Sequence, residues 1–539
     1  MNVTATPQST GAIAREAFRG RRKSVPGGCG RAFPGAHARS RLLLCSRLSL
    51  ASAAALLIAA VAGCAVGPNY HRPSAPVPQR FKEAEGWKPA EPREAASGTD
   101  WWSVYEDATL DGLEKQIDIS NQTLKQSEAA WRESVAVVSA ARASYFPSIG
   151  VTANGTRSGG PGALEQAVAA NAVPRGTSHP INQFNLSGTA SWDIDIWGKI
   201  RRTVESDVAN AQASEADLAA ARLSAQGTLA TDYVELRVTD ETKQLLDDTV
   251  AAYKRSLQIT QNQYNVGVAA KTDVITAETQ LEGAESQQIN TGVMRATLEH
   301  AIAVLVGKPP ADFSIAPAKF GTVVPVVPTG VPSTLLERRP DVAAAERNMA
   351  AMNAQVGVAI AAYFPDLTLS GSYGFVSDVV SGLVKAPNNI WSFGGAATDT
   401  LLDFGARPAQ VRQARAAYDA AVANYRQTVL TAFQNVEDDL ATLRILEQQY
   451  AVQDQATKSA NLAAELTLNQ YKAGTVAYTA VVTAQAIALT DAQTLLTIRQ
   501  NRLTASVALI QALGGGWNAS SLGTAQGTAA QLAAGAARP

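Results

Sequence analysis

The chain has 539 residues, 46 basic and 47 acidic, giving a formal net charge of −1; 46% are hydrophobic, 6% aromatic and 17% charged. So even a balance argues against a nucleic-acid binder, which shows a clustered basic excess, and the apolar fraction argues against wholesale disorder. Three cysteines, Cys29, Cys45 and Cys64, are too few for a disulfide framework or a Cys-rich zinc site.

Residues 1–63 read as an export signal with a long basic leader. Residues 1–47 hold nine basic residues and one acid, Glu16; an uncharged run over 48–62 then ends at Gly63-Cys64. A positive leader, a short apolar run and small residues at its end describe a secretory signal. The run falls short of the roughly 20 residues that span a bilayer. Val61-Ala62-Gly63-Cys64 resembles a bacterial lipobox. That resemblance implies cleavage before Cys64, lipid on its sulfur and new amino terminus and, with Ala65 rather than Asp next, sorting to the outer membrane. An ordinary signal with an incidental cysteine is the alternative, but Cys64 is the only cysteine beyond the signal.

Without residues 1–63 the chain keeps 37 basic and 46 acidic residues, a net charge of −9. No further uninterrupted apolar stretch is long enough to span a bilayer, so the sequence predicts no transmembrane helix. Any crossing of a membrane then has to use β-strands. Residues 64–100 are proline-rich and read as an extended, lipid-anchored linker. Trp101-Trp102 restarts a compact chain.

The body is one unit written twice, over 101–335 and 336–517, with 518–539 as a flexible tail. Tyr145-Phe146-Pro147 recurs as Tyr363-Phe364-Pro365 at an offset of 218. Trp197-Gly198 recurs as Phe404-Gly405, and Gln263-Tyr264 as Gln470-Tyr471, at an offset of 207. The first copy therefore carries an 11-residue surplus between Pro147 and Trp197, where the Gly-rich loop 157–178 tolerates insertion. Each copy reads as a helical stretch (105–144 and 341–362) ended by proline, two strands, and two long helices joined by a Gly-containing turn.

Strands are predicted over 145–155, 181–197, 363–375 and 389–404. Phe184, Leu186, Ala190, Trp192 and Ile194 alternate with polar neighbours, as do Leu367, Leu369, Tyr373 and Phe375. The last segment is less regular, with Asp399 on the wrong face. Aromatics concentrate in these four segments, against 6% in the chain as a whole, which suits barrel strands in a membrane; a half-buried sheet in water alternates too. Helices over 199–263 and 406–470 carry heptad-like seams, Leu246 to Tyr264 and Tyr418 to Val436, that favour coiled-coil packing. Four strands cannot close a barrel, which needs about eight. Copies of the chain must pool strands, and two, three or four copies all satisfy the count.

Val66-Gly67-Pro68-Asn69-Tyr70, Trp101-Trp102, Leu336-Glu337-Arg338-Arg339-Pro340-Asp341-Val342 and Ala512-Leu513-Gly514-Gly515-Gly516-Trp517 together resemble the NodT/OprM branch of TolC-like outer-membrane lipoproteins. The resemblance covers nearly all of the chain beyond the signal. It implies a mainly α fold with β: a homotrimer whose strands form one transmembrane β-barrel, continuous with a long periplasmic coiled-coil barrel. It also implies a periplasmic adaptor and an inner-membrane pump, of the RND type, as partners of a passive exit duct for drugs or other small molecules. By the same resemblance Val266, Gly267, Val268 and Ala473, Gly474, Thr475 are adaptor-contacting tips. Asp273, Thr479 and Thr483 are candidates for a periplasmic gate, less acidic than usual because Ala480 stands opposite Asp273. A turn needed only for helix reversal and an aspartate that caps its own helix are the plainer readings.

Catalytic signatures are absent, Gly307-Lys308 lacks the rest of a phosphate loop, and His71, His179 and His300 are too far apart in sequence for ligand spacing. No enzyme activity, cofactor or metal is predicted. Two other readings stay open: a duct for type I protein secretion, and a lipid-anchored coiled-coil scaffold without a pore.

Overall fold

The doubling legible in the sequence recurs in the element bounds of the computed structural model, which describes residues 65–78, 80–83, 100–159, 180–321 and 337–523. In chain order these are α1 (Ala108–Ser120), α2 (Gln122–Ala143), β1 (Ser148–Ser158), β2 (Ile181–Asp193), α3 (Lys199–Asn265) and α4 (Lys271–Leu305). There follow α5 (Pro340–Ala361), β3 (Asp366–Ser377), β4 (Asn389–Thr398), α6 (Ala406–Lys472) and α7 (Tyr478–Ala512). The helices α3 and α6 both have 67 residues, and α4 and α7 both have 35. Both pairs start and end at the offset that relates Trp197 to Phe404. At 1.5 Å per residue the long helices reach about 100 Å.

The stretch expected as one helix over 105–144 is two helices that share Asn121. Its side chain caps α2, accepting from the Leu124 N–H at 2.8 Å, and its amide donates to the Leu305 carbonyl at the end of α4 at 2.7 Å. In the second copy Arg339, at the start of α5, likewise donates to the Ala512 carbonyl at the end of α7 at 3.1 Å. A capping side chain thus ties each returning helix to the head of its own repeat. The main core lies about halfway along the long helices. Tyr233 of α3, Tyr425 and Leu440 of α6, and Leu503 of α7 meet Trp101, Trp102 and Tyr105 there, all buried.

The strands form one antiparallel sheet in the order β1-β2-β3-β4. Each hairpin belongs to one copy, and the pairing of β2 with β3 joins the two copies in a register that sets Leu186 against Phe375 and Gly188 against Tyr373. β1 keeps its expected length but starts three residues later, and β2, β3 and β4 are shorter than expected. Asp399 lies past β4, where its carboxylate pairs with Arg407 at 3.1 Å, so it occupies no sheet face.

Two other expectations are corrected. Residues 65–78 and 80–83 do not hang free as a tether. Arg202 holds the Val66 and Gly67 carbonyls and the Asn69 side chain; Asn353 holds the Pro68 carbonyl. Tyr70 donates to Glu346, Phe81 is buried beside Phe433, and Glu83 pairs with Arg444. The start of the tail is also fixed. Leu522 and Trp517 pack on Ala216, Ala343 and Ala344, and the Gly523 N–H donates to Glu215 at 3.1 Å.

By length and composition α7 is apolar enough to cross a membrane. It runs beside α6, whose neighbouring half carries Asp454, Lys458, Glu465 and Lys472. Inserting α7 would take those charges into hydrocarbon with it. Instead it buries Leu503 and Leu509 in the main core.

Candidate functional site

Register assigns each strand residue to a face of the sheet. Ile149, Val151 and Ala153 of β1 share a face with Phe184, Leu186 and Trp192 of β2. The same face carries Leu369, Tyr373 and Phe375 of β3 and Trp391 and Phe393 of β4. The opposite face carries Thr152, Asn154, Asn185, Ser187, Thr189, Ser370, Ser372 and Ser392. A half-buried sheet in water would cover its apolar face with helices. Here much of that face is bare: Val151 is 76%, Trp391 75% and Phe393 77% exposed, while Phe184, Leu186 and Phe375 in the middle strands are half-buried. An uncovered apolar face backed by a polar one is the pattern of a strand set between lipid and an aqueous lumen. The outer edges of β1 and β4 have no partner strand among the described residues, and in lipid an open edge leaves backbone groups unsatisfied. The sheet is therefore completed by other copies.

At the far ends of the long helices both turns have the same backbone. In the first, the Gly267 N–H bonds to the Tyr264 carbonyl and the Val268 N–H to that of Gln263, at 2.9 and 2.8 Å. In the second, Gly474 bonds to Tyr471 and Thr475 to Gln470, at 2.9 and 3.0 Å. Both are Schellman ends. The glycines sit at φ +79° and +76°, and a Cβ there would meet no atom within 4 Å, so glycine serves the backbone angle rather than a close neighbour in the chain. Val266, Val268, Ala473 and Thr475 are all exposed.

Beyond the turns the gate candidates separate. The Asp273 carboxylate accepts from the Ala270 N–H at 3.3 Å, in the first turn of α4. It acts as a helix-start cap. Thr479 and Thr483 instead line an open groove between α6 and α7 with Ala460, Ala463, Ala484 and Ile487. Asp273 is not among its lining residues.

Sequence reading missed the contacts that join the two hairpins at this level. Tyr471 and Tyr478 lie 5.1 Å apart between ring centres and cluster with Ala277 and Val481. Gln485 accepts from Gln280 at 3.2 Å and donates to Ser256 at 3.5 Å; Gln493 donates to Gln287 at 3.2 Å. The aligned copies hold the clue, because Tyr478 stands where the first copy has Lys271. Further up, Asp232 of α3 and Asp439 of α6 occupy equivalent positions in the two copies. Burial, helped by Glu235 and Asp438 respectively, raises each carboxyl to about 6.

Cys64 lies outside the described residues, as do His179 and most of the surplus loop. Among the described residues, no three His, Cys, Asp or Glu side chains gather as metal ligands would.

The family described as "Outer membrane efflux protein" matches residues 113–308 and again residues 331–515, one match per copy. The "Probable efflux pump outer membrane protein TtgC" of Pseudomonas putida is 28% identical over 475 residues, covering 88% of this chain and 96% of the relative. The "Outer membrane protein OprJ" of Pseudomonas aeruginosa is 30% identical over 468 residues, covering 86% and 95%. The solved outer-membrane channel OprN superposes with a TM-score of 0.76 at 28% identity, over 84% of this chain and all of that one. The CmeC outer membrane channel of Campylobacter jejuni, 24% identical, shares the fold with a TM-score of 0.79 over 87% of this chain and 98% of its own.

Proposed function

Since the chain belongs to the outer membrane efflux protein family and is an outer-membrane efflux channel with a large periplasmic portion, we propose that it works as a passive homotrimeric duct for drugs or other small molecules. Three copies supply twelve strands, four from each, and a barrel of that number encloses a lumen. The observation that carries this reading is the sheet, with one bare apolar face, one polar face and two open edges. Energy comes from an inner-membrane pump of the RND type, reached through a periplasmic adaptor. The adaptor meets the exposed turns at Val266, Gly267, Val268 and Ala473, Gly474, Thr475. Lipid on Cys64 adds an anchor beside the barrel: Ala65, the next residue, packs against Gly198 at the junction of strand and helix. Asp273, Thr479 and Thr483, just beyond the turns, stand near the narrow end of the duct.

Conductance across a planar bilayer tests this. The purified protein gives unitary steps, and cysteine labels at positions 184 and 192, on the apolar face, are quenched from lipid. No conductance under any gating condition, with labels at Phe184 and Trp192 reached from water, overturns the channel.

A further inference from the structure

Register gives each paired strand residue one of two faces, and on the apolar face Arg157 is the only charged residue. It stands near the end of β1 away from the helices, directly opposite Asn182 of β2. Both side chains are exposed, and Arg157 has no hydrogen-bond or ion-pair partner among the described residues. Trp192 marks the other end of the face, where its indole N–H donates to the Tyr145 carbonyl at 3.0 Å. From Trp192 to Asn182 is ten residues, about 34 Å along a strand and about 26 Å along the axis of a barrel whose strands tilt by about 40°. The apolar band of such a barrel is about 25 Å tall, so Arg157 stands at its far rim.

A guanidinium facing hydrocarbon is costly at mid-depth and tolerated at the rim, where its stem lies on apolar surface and its head reaches the headgroups. The floor beneath it is aromatic: Phe184 lies across Gly155, where a Cβ would meet the ring at 2.9 Å. The helices hold the periplasmic side of the sheet, so this rim faces the outer leaflet. Lys385 and Asp378 in the exposed β3–β4 loop, at the same end, offset each other, which leaves Arg157 as the net charge of the described residues there. A guanidinium fork matches two oxygens of a phosphate, and the neighbouring amide supplies a further donor.

We propose that Arg157 and Asn182 form a docking site, on the outside of the barrel, for the phosphate group of a lipid in the outer leaflet. The guanidinium pairs with two phosphate oxygens and the Asn182 amide donates to another, while the acyl chains run down the apolar face over Phe184, Leu186 and Ala153. The occupant is a lipid rather than a soluble anion because the two donors crown an apolar wall. A free phosphate uses the donors alone; a lipid uses donors and wall together. Each copy of the chain brings one such site.

This inference rests on the membrane barrel proposed above, and two readouts separate them. The full chain in detergent is mixed with lipid A bearing both phosphates or with the same lipid after dephosphorylation, and retained lipid is counted by native mass spectrometry. The phosphorylated lipid should be retained about tenfold more tightly, as loss of hydrogen bonds to a charged group implies. Arg157→Gln should abolish that preference, and Arg412→Gln, which removes an exposed arginine of α6, should leave it intact. Inorganic phosphate at the concentration of the lipid should not displace it. No preference in the unaltered chain, equal retention by Arg157→Gln, equal loss in Arg412→Gln, or displacement by inorganic phosphate each overturns the docking site. Unitary conductance of the same preparation then leaves the channel standing. A protein without conductance, whose labels at positions 184 and 192 are reached from water, overturns both.

Discussion

The turn-proximal halves of the two helical hairpins have the same length and the same ends, yet their interiors differ. In α3–α4, Leu246 is buried nearby and Val250 and Tyr253 pack with Leu281 and Ala284. At the equivalent positions in α6–α7 stand Gln453, Thr457, Ala460 and Asp491. There Gln453 donates to the Asp491 carboxylate at 3.1 Å and Thr457 to its carbonyl at 3.2 Å. The first hairpin is held by apolar volume, the second by hydrogen bonds whose net worth is smaller. Backbone geometry, set by caps and turn glycines, is thus preserved while cohesion is not. The second hairpin is the softer one, and its small residues open the groove.

The largest test of this contrast removes the aromatic from the firm hairpin. Tyr253→Ala is expected to cost about 3–5 kcal/mol, as large-to-small changes in a packed interior do. A loss below about 1 kcal/mol in denaturant unfolding would mean that the interiors do not differ in kind. Next come Gly267→Ala and Gly474→Ala, each expected to cost about 1–2 kcal/mol for a side chain in the left-handed region. With open space around both, the two losses should match, and unequal midpoints would show that the turns are not equivalent.

The smallest effect concerns pH and should be alike in both repeats. Asp232 and Asp439 protonate near 6 when folded but near the ordinary 3.8 when unfolded. Between those values the folded state holds the extra proton, so stability falls as pH rises from about 4 to about 6 and then levels off. Asp232→Asn and Asp439→Asn should each flatten part of that slope by a similar amount, read from melting temperatures across the window.

Much of the fold was legible because its signals are local. Helices over 199–263 and 406–470 were expected and run as Lys199–Asn265 and Ala406–Lys472. A long proline-free run with heptad spacing leaves few other choices. The strands were legible from alternation, but their identity as membrane strands was not, since alternation alone fits a sheet in water. Asn121 escaped notice because a polar residue within a periodic stretch looks like solvated surface until Leu305 is brought to its amide. Of the site, the turns were visible as Gly267 and Gly474. The groove was not, because Ala460 and Ala463 read as ordinary small helix residues unless Tyr253 and Ser256 are set beside them.

The net charge of −1, from which little could be concluded, divides into +8 over residues 1–63 and −9 over residues 64–539. Sequence alone determined the doubling, the order of elements and the places where helices reverse. The elements and reversals are written in residues within a turn or two of one another, and the doubling in short motifs that recur at a fixed offset, so composition and spacing suffice. Tertiary structure alone decided that β2 pairs with β3, that residues 65–78 and 80–83 lie along the helices and that one repeat leaves open a groove the other has filled. These join segments that stand far apart along the chain, and which side chains complement one another across such a span leaves no mark on either segment by itself.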